Sequence, residues 1–247
     1  MITPCIKHFN ELNSTNSFAL EHFDEFEIGD VISADIQTHG RGRFNRVWEG
    51  DSSENIYASF VIKPKNTEKF PFINLTQYLS VVVCNVFKKK YGLSVNIKWP
   101  NDILYENKKL VGILAEARIK RGQLDGIVLG MGINVNYAPV DIVPNSVCLR
   151  GILNKKTDKK DLLNSILEEF FSTFDIFSND GFKSIDADYK SLCQFGETVK
   201  IGNSYKEGEF QEYKFRKLND DGTLTVLAIN ENGKEEEVKI VSGDILC

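Results

Sequence analysis

Leu110-Val111-Gly112-Ile113-Leu114-Ala115-Glu116-Ala117 and Leu124-Asp125-Gly126-Ile127-Val128-Leu129-Gly130-Met131-Gly132-Ile133-Asn134-Val135 are two apolar runs joined through Lys120-Arg121-Gly122. Each has the length and the aliphatic density of a strand. A Gly-containing link this short suits a hairpin. The spacing therefore predicts an antiparallel β-hairpin, and the rest of the chain must supply layers to cover it.

Working outward, the pattern is mixed α and β. Leu75, Leu79, Val82, Val83 and Val86 fall at helical spacing, with Gly92 as a stop. Ser14-Thr15-Asn16 offers capping chemistry ahead of Phe18, Leu20 and Phe23, which predicts a short helix. Ile56 to Lys63 alternates as a half-buried strand, and Leu93, Val95, Ile97 and Trp99 alternate again before Pro100 ends the ladder. Asp158 to Phe174 is the clearest amphipathic helix, and its phenylalanines read as core rather than as a ligand pocket. From Glu197 onward the segments are short and alternating, with turns at Asp220-Asp221-Gly222 and Glu231-Asn232-Gly233 and strands over Thr223–Ile229 and Glu237–Val241. These segments read as a small barrel. The expected division is residues 1–193 and residues 194–247.

The chain has 247 residues, 42% of them hydrophobic and 26% charged, which excludes disorder. Its longest apolar runs are too short for a membrane span, and no apolar leader follows Pro4, Lys7 and His8, so the expected compartment is the cytoplasm. A net charge of −5 provides no global field for nucleic acid. Five scattered cysteines form no C-x-x-C pair, so neither a metal centre nor a disulfide framework is expected.

Four clusters carry chemistry. Gly40-Arg41-Gly42-Arg43-Phe44-Asn45-Arg46 packs three guanidiniums among flexible glycines, a combination that suits an anion better than a core. Lys98-Trp99-Pro100-Asn101-Asp102-Ile103 places two polar side chains at a strand end. Lys109 starts a nearly apolar strand, where its ammonium can stand at a pocket mouth, and Gly112 clears room inside that strand. Gly130 and Gly132 clear one sheet face next to Asn134 and Asn136. Taken singly, each also fits a solvated loop, an ordinary turn, an edge lysine or a β-bulge.

In order and spacing, the four together resemble the biotin protein ligases, the biotin–[biotin carboxyl carrier protein] ligases. Ser14-Thr15-Asn16 looks like that family's S-T-N element. Gln37 through Trp48 looks like its Q-x-x-G-R-G-R-x-x-R-x-W loop, and Lys98 to Ile103 like its K-W-P-N-D segment. Lys109 to Leu114 and Gly130 to Asn134 look like its K-L-x-G-I-L and G-x-G-I-N strands. The resemblance implies an α+β fold, a mixed sheet flanked by helices, followed by a small SH3-like β-barrel. It implies that Ser14, Thr15, Asn16 and Gln37 meet the biotin ring, that Gly40, Arg41, Gly42 and Arg43 close over biotin and its adenylate, and that Gly112, Leu114 and Gly130 line the biotin pocket. Lys109 would bridge carboxylate and α-phosphate. Arg43, Arg46, Trp48, Asn101, Lys109 and Asn134 would form the nucleotide side. The catalytic set would be Lys109, Arg41, Arg43 and Asp102, the last as an assistant in deprotonating the acceptor amine.

The activity so implied is formation of biotinyl-5′-AMP from biotin and ATP with Mg²⁺, then transfer to a lysine of a carrier protein or biotinyl domain. The S-T-N element at residue 14 leaves no room for a DNA-binding domain before it, so neither DNA nor membrane is an expected partner; a homodimer is compatible. Lipoate–protein ligases share the adenylation chemistry but lack the Gly-Arg-Gly-Arg loop in this register. A non-catalytic RNA-binding module is the reading from another class, and the acidic balance opposes it.

Overall fold

The computed structural model describes residues 3–64, 67, 69–202, 210–229 and 233–246. Seven strands, β1 (Cys5–Leu12), β2 (Asp30–Gln37), β3 (Ile56–Ile62), β4 (Asn96–Lys98), β5 (Asp102–Tyr105), β6 (Lys108–Lys120) and β7 (Gln123–Ile133), form one sheet in the order β1-β2-β3-β7-β6-β5-β4. β1 runs parallel to β2, and the other neighbours are antiparallel. The expected hairpin is β6–β7, registered from Val111 opposite Ile133 to Lys120 opposite Gln123. Arg121 and Gly122 both take positive φ, the twist a two-residue hairpin turn needs.

Five helices, α1 (Thr15–Glu21), α2 (Leu75–Tyr91), α3 (Leu149–Leu153), α4 (Lys159–Asp180) and α5 (Asp186–Leu192), complete the first part of the chain. Ser14 caps α1 by accepting from Ser17 N, and Asp158 caps α4 by accepting from Lys160 N and Asp161 N. Each satisfies amides that the first helical turn leaves unpaired. α4 runs past Phe174 because Phe177 continues the apolar stripe and is fully buried.

The sheet is covered on both faces. α2 and α4 pack on Phe60, Ile62, Ile127 and Leu129, with Phe170 ring centroids 4.7 Å from Phe60 and 5.0 Å from Tyr78. The α4 phenylalanines are therefore core. α1 and the segment Phe23–Phe26 pack on the opposite face, against Ile32, Val61 and Val128. β3 is consequently buried at every residue, not half-buried as its alternation suggested, since neither of its faces reaches water. The strand expected from Leu93 forms only over Asn96–Lys98.

The remaining strands, β8 (Thr198–Gly202), β9 (Phe210–Leu218), β10 (Leu224–Ile229), β11 (Glu235–Ile240) and β12 (Asp244–Leu246), form an antiparallel sheet in the order β11-β10-β9-β8-β12. This agrees with a small SH3-like unit, but among the described residues no pairing joins β11 to β12, so the ladder does not close into the expected barrel. The Asp220–Gly222 turn is present, with Gly222 at φ 77, whereas Glu231 and Asn232 of the second turn lie outside the described residues. Val199, Ile201, Leu224, Val226 and Ile245 join the same apolar cluster as α2 and α4. Polar bonds lock the contact: Asn74 Nδ2 donates to Asp221 O, and Gln77 Nε2 and Trp99 Nε1 both donate to Gly222 O. Among the described residues no helix is long and apolar enough to cross a membrane.

Candidate active site

The α1 face of the sheet carries a cleft of about 240 Å³. Its floor follows from the β6–β7 register, which sets Gly112 opposite Gly132 and Leu114 opposite Gly130, all on one face. The glycines leave hollows that two side chains from outside the hairpin fill. A Cβ on Gly132 would lie 2.6 Å from Trp48 Nε1, and one on Gly112 equally close to the same indole. A Cβ on Gly130 would lie 2.8 Å from Asn16 Cγ. Thus the loop after β2 and the start of α1 are seated in the hairpin by missing side chains.

The end of the cleft at Gly130 is a dense polar cluster. Gln37 Oε1 accepts from Thr15 N at 2.8 Å and lies 3.1 Å from Thr15 Oγ1. Ser59 Oγ stands 2.7 Å from Thr15 Oγ1 and 2.6 Å from Asn16 Oδ1. Asn16 Nδ2 donates to Glu116 Oε2 at 2.8 Å. Ser14, Thr15, Asn16, Gln37 and Ser59 are all buried, so any polar ligand edge placed here meets groups already stripped of water.

Two positions along the strands, at Gly112 and Gly132, the character changes to charge. Lys109 Nζ is 2.8 Å from Asp102 Oδ2 and lies over the Trp48 ring. Asn101 Nδ2 donates to Ile113 O, while its Oδ1 accepts from Arg43 Nη1 at 3.0 Å. Asn134, almost fully buried, turns its amide toward Lys109 O. Arg41, Arg43, Arg46 and Lys109 line the cleft against the carboxylates Glu49 and Asp102, a balance that attracts anions. The buried indole N–H of Trp48 has no hydrogen-bond partner among the described residues, which leaves a donor for a ligand acceptor.

The arginine loop is a hairpin-like excursion closed by bridges between Gln37 and Gly50 and between Arg41 and Val47. At its tip Phe44 adopts φ 55, a conformation that costs a non-glycine residue about 1–2 kcal/mol. Each guanidinium expected to meet the ligand has protein partners here. Arg41 Nη2 bonds Glu116 Oε2 at 2.8 Å. Arg43 bonds Asn101 Oδ1, Gly243 O at 3.0 Å and Ser242 Oγ at 2.7 Å, tying the loop to the second sheet.

The residues expected from the sequence thus converge: Ser14, Thr15, Asn16, Gln37, Arg41, Gly42, Arg43, Arg46, Trp48, Asn101, Asp102, Lys109, Gly112, Leu114, Gly130 and Asn134 all line the cleft. Gly40 does not; its carbonyl instead accepts from Trp48 N. Asn136 exchanges two bonds with Thr157 and is structural. Sequence reasoning missed Ser59, Glu116 and the wall formed by Pro139, Val143 and Ser146. A lone serine inside Ile56–Ile62 and a lone acid ending an apolar run were the available signals; the wall gave none.

Residues 9–134, about half of the chain, match the model of the biotin/lipoate A/B protein ligase family, and that match spans every part of the cleft from Ser14 to Asn134. The chain belongs to this family. Within it, the chain is 31% identical over 225 residues to the bifunctional ligase/repressor BirA of Bacillus subtilis, covering 88% of this chain and 66% of the relative. It is 34% identical over 198 residues to biotin–protein ligase 2 of Arabidopsis thaliana, covering 76% and 58%. The chain therefore spans about two thirds or less of the length of these curated relatives. Among solved structures it resembles the biotin protein ligase of Aquifex aeolicus in complex with biotin and ATP, at 27% identity and TM-score 0.78, covering 98% of this chain and 97% of that one.

Proposed function

We propose that this family member is a biotin protein ligase that activates biotin with ATP and transfers it to a lysine of a carrier protein or biotinyl domain. One observation carries the reading: a single cleft joins a buried polar end at Gln37, Thr15 and Asn16 to a cationic end at Lys109 and Arg43. Biotin has that polarity, a ureido ring at one end and a carboxylate at the other. The relatives named as biotin protein ligases support the same reading.

In the first step a biotin carboxylate oxygen bonds to the α-phosphorus of ATP, the bond from that phosphorus to pyrophosphate breaks, and pyrophosphate leaves. Both reactants are anions. Lys109 and Arg43, and Arg41 from the loop, neutralise the charge that gathers between them, which is the work preorganised cations do best. Thr15, Gln37, Asn16 and Ser14 hold the ring, Gly112, Leu114 and Gly130 shape the pocket beneath it, and Gly40 and Gly42 give the loop its turn. Trp48, Asn101, Asn134 and Arg46 hold the nucleotide. In the second step the acceptor amine attacks the acyl carbon, the acyl–oxygen bond breaks, and AMP leaves. Asp102, released as Lys109 turns to the phosphate, accepts the amine proton.

Among the described residues no three acidic, histidine or cysteine side chains converge as a metal cage, and the Asp102 carboxylate is already paired. These residues do not fit a resident metal, so Mg²⁺ would arrive on the ATP phosphates as part of the substrate. We further assign residues 1–193 to a catalytic domain and 194–247 to an SH3-like domain, with the cytoplasm as the compartment where ATP and the carrier meet. The chemistry is complete within one chain, so a homodimer is not required by it.

The deciding experiment is pyrophosphate–ATP exchange with biotin or lipoate as the only acid. Biotin-dependent exchange, with biotinyl-AMP detected by mass spectrometry, is expected; exchange with lipoate alone would make the chain a lipoate ligase.

A further inference from the structure

Glu116 stands on β6 behind the cleft wall, and both of its strong bonds reach forward into the site. Its Oε2 accepts from Asn16 Nδ2 and from Arg41 Nη2, each at 2.8 Å, and its side chain is only 23% exposed. Asn16 is 4% exposed and seated over Gly130. Its other amide atom, Oδ1, faces Ser59 Oγ, which in turn faces Thr15 Oγ1. Gln37, Thr15, Ser59, Asn16, Glu116 and Arg41 thus form one continuous chain of polar contacts from the floor of the cleft to the arginine loop.

A carboxylate can only accept. Asn16 must therefore turn its NH₂ to Glu116 and its oxygen to Ser59. Ser59 has one proton, which that oxygen takes, and the Thr15 hydroxyl donates to Gln37 Oε1. Gln37 Oε1 accepts from the Thr15 backbone N–H as well. Glu116, together with the Leu114 carbonyl that accepts from the same Asn16 Nδ2 at 3.3 Å, fixes which way the Asn16 amide faces, and Glu116 holds Arg41 with the same oxygen.

We infer that Glu116 is a positioning residue for the proposed ligase reaction, one that presents Asn16, Thr15 and Arg41 to the substrate in a single donor–acceptor pattern; the inference rests on the ligase reading above. An uncharged amide in its place could offer its own NH₂ to Asn16, leaving only the longer bond to Leu114 O to hold the Asn16 amide against turning over. Thr15, Asn16 and Gln37 would then meet the ligand with mismatched donors. The Lys109 end would be untouched.

Two measurements on Glu116→Gln and Glu116→Ala test this. In biotin-dependent pyrophosphate exchange, both variants are expected to raise KM for biotin roughly tenfold, because a charge-assisted bond in a buried cluster is worth about that much, with a smaller fall in kcat from the loosened Arg41. In ligand-free protein, tryptic cleavage after Arg41, followed by mass spectrometry, is expected to be faster in both variants, because the guanidinium loses its anchor. An active parent with unchanged KM and unchanged cleavage in the variants overturns the inference. A drop in kcat at constant KM also overturns it, by showing that Glu116 acts on the chemical step. A parent with no biotin-dependent exchange overturns the ligase reading instead, and the cleavage rate then still decides whether Glu116 holds Arg41.

Discussion

Lys109 Nζ lies 2.8 Å from Asp102 Oδ2 and 5.4 Å from the centroid of the Trp48 ring, so one ammonium touches both the K-W-P-N-D segment and the arginine loop. The carboxylate and the ring face hold the ammonium at the cationic end of the cleft. Lys109→Ala is expected to slow pyrophosphate exchange by about 10²–10³-fold, the usual cost of losing one preorganised charge at a reacting centre. Folding should suffer little, since the Lys109 side chain is about one third exposed. Near-normal exchange in a folded variant would remove Lys109 from the mechanism.

The two hollows of the hairpin floor should separate the substrates. Gly130→Ala drives a methyl into Asn16, and Gly132→Ala drives one into Trp48. Overpacking of this kind costs about 1–3 kcal/mol where the neighbour cannot move. Gly130→Ala should weaken biotin binding more than ATP binding, and Gly132→Ala the reverse. Calorimetric titration of each ligand checks this, and equal losses in both variants would mean that the floor is not divided as described.

Arg43→Gly should release the reactive acyl-adenylate. The substitution removes a cation from the cleft and cuts the loop's bonds to Ser242 and Gly243 together. Ser242→Ala removes one of those bonds and should leak less. The measure is a biotin blot of bystander proteins incubated with each variant, because the mixed anhydride acylates free amines without help. Equal labelling by parent and Arg43→Gly would show that the loop does not retain the intermediate.

Acid should loosen the Asp220–Gly222 turn of the second sheet. Burial pushes the Asp221 carboxyl up, but bonds from Lys239 and Thr223 outweigh it and bring it down to about 2, from 3.8. A depressed carboxylate stabilises fully above its unfolded value and loses that contribution as pH falls through its folded one. The window is therefore about pH 4 down to pH 2. Because the side chain is nearly half exposed, the gain is under about 1 kcal/mol. Asp221→Asn should lower the melting temperature slightly at neutral pH and flatten its fall across that window. An Asn variant that melts like the parent at every pH would show that the ion pair is idle.

How legible these features were depends on how local their causes are. The β6–β7 hairpin, α2 and α4 follow from periodicity and caps within each segment. β1 was invisible because Cys5–Leu12 is a largely exposed edge strand with charges along it, and its pairing with β2 is set by a partner some 25 residues away. The cleft was readable where one residue type has one use, as with paired arginines among glycines. Ser59 and Glu116 were not, because a serine or a glutamate says nothing until the fold shows which neighbour it faces. The docking of the second sheet was not legible either, because it runs from the carbonyls of the Asp220–Gly222 turn to Asn74, Gln77 and Trp99, partners more than 100 residues away.

The bond from Arg43 to Gly243 O joins residues 200 positions apart. On a ribosome, the pocket would therefore emerge long before the strand that anchors its lid. A half-made chain could fold the hairpin floor and the polar end, yet would have nothing at Ser242 and Gly243 for the lid to grip. An anchor for the arginine loop therefore exists only once the second sheet has docked, so the seating of that loop is coupled to a turn about 200 residues further along the chain.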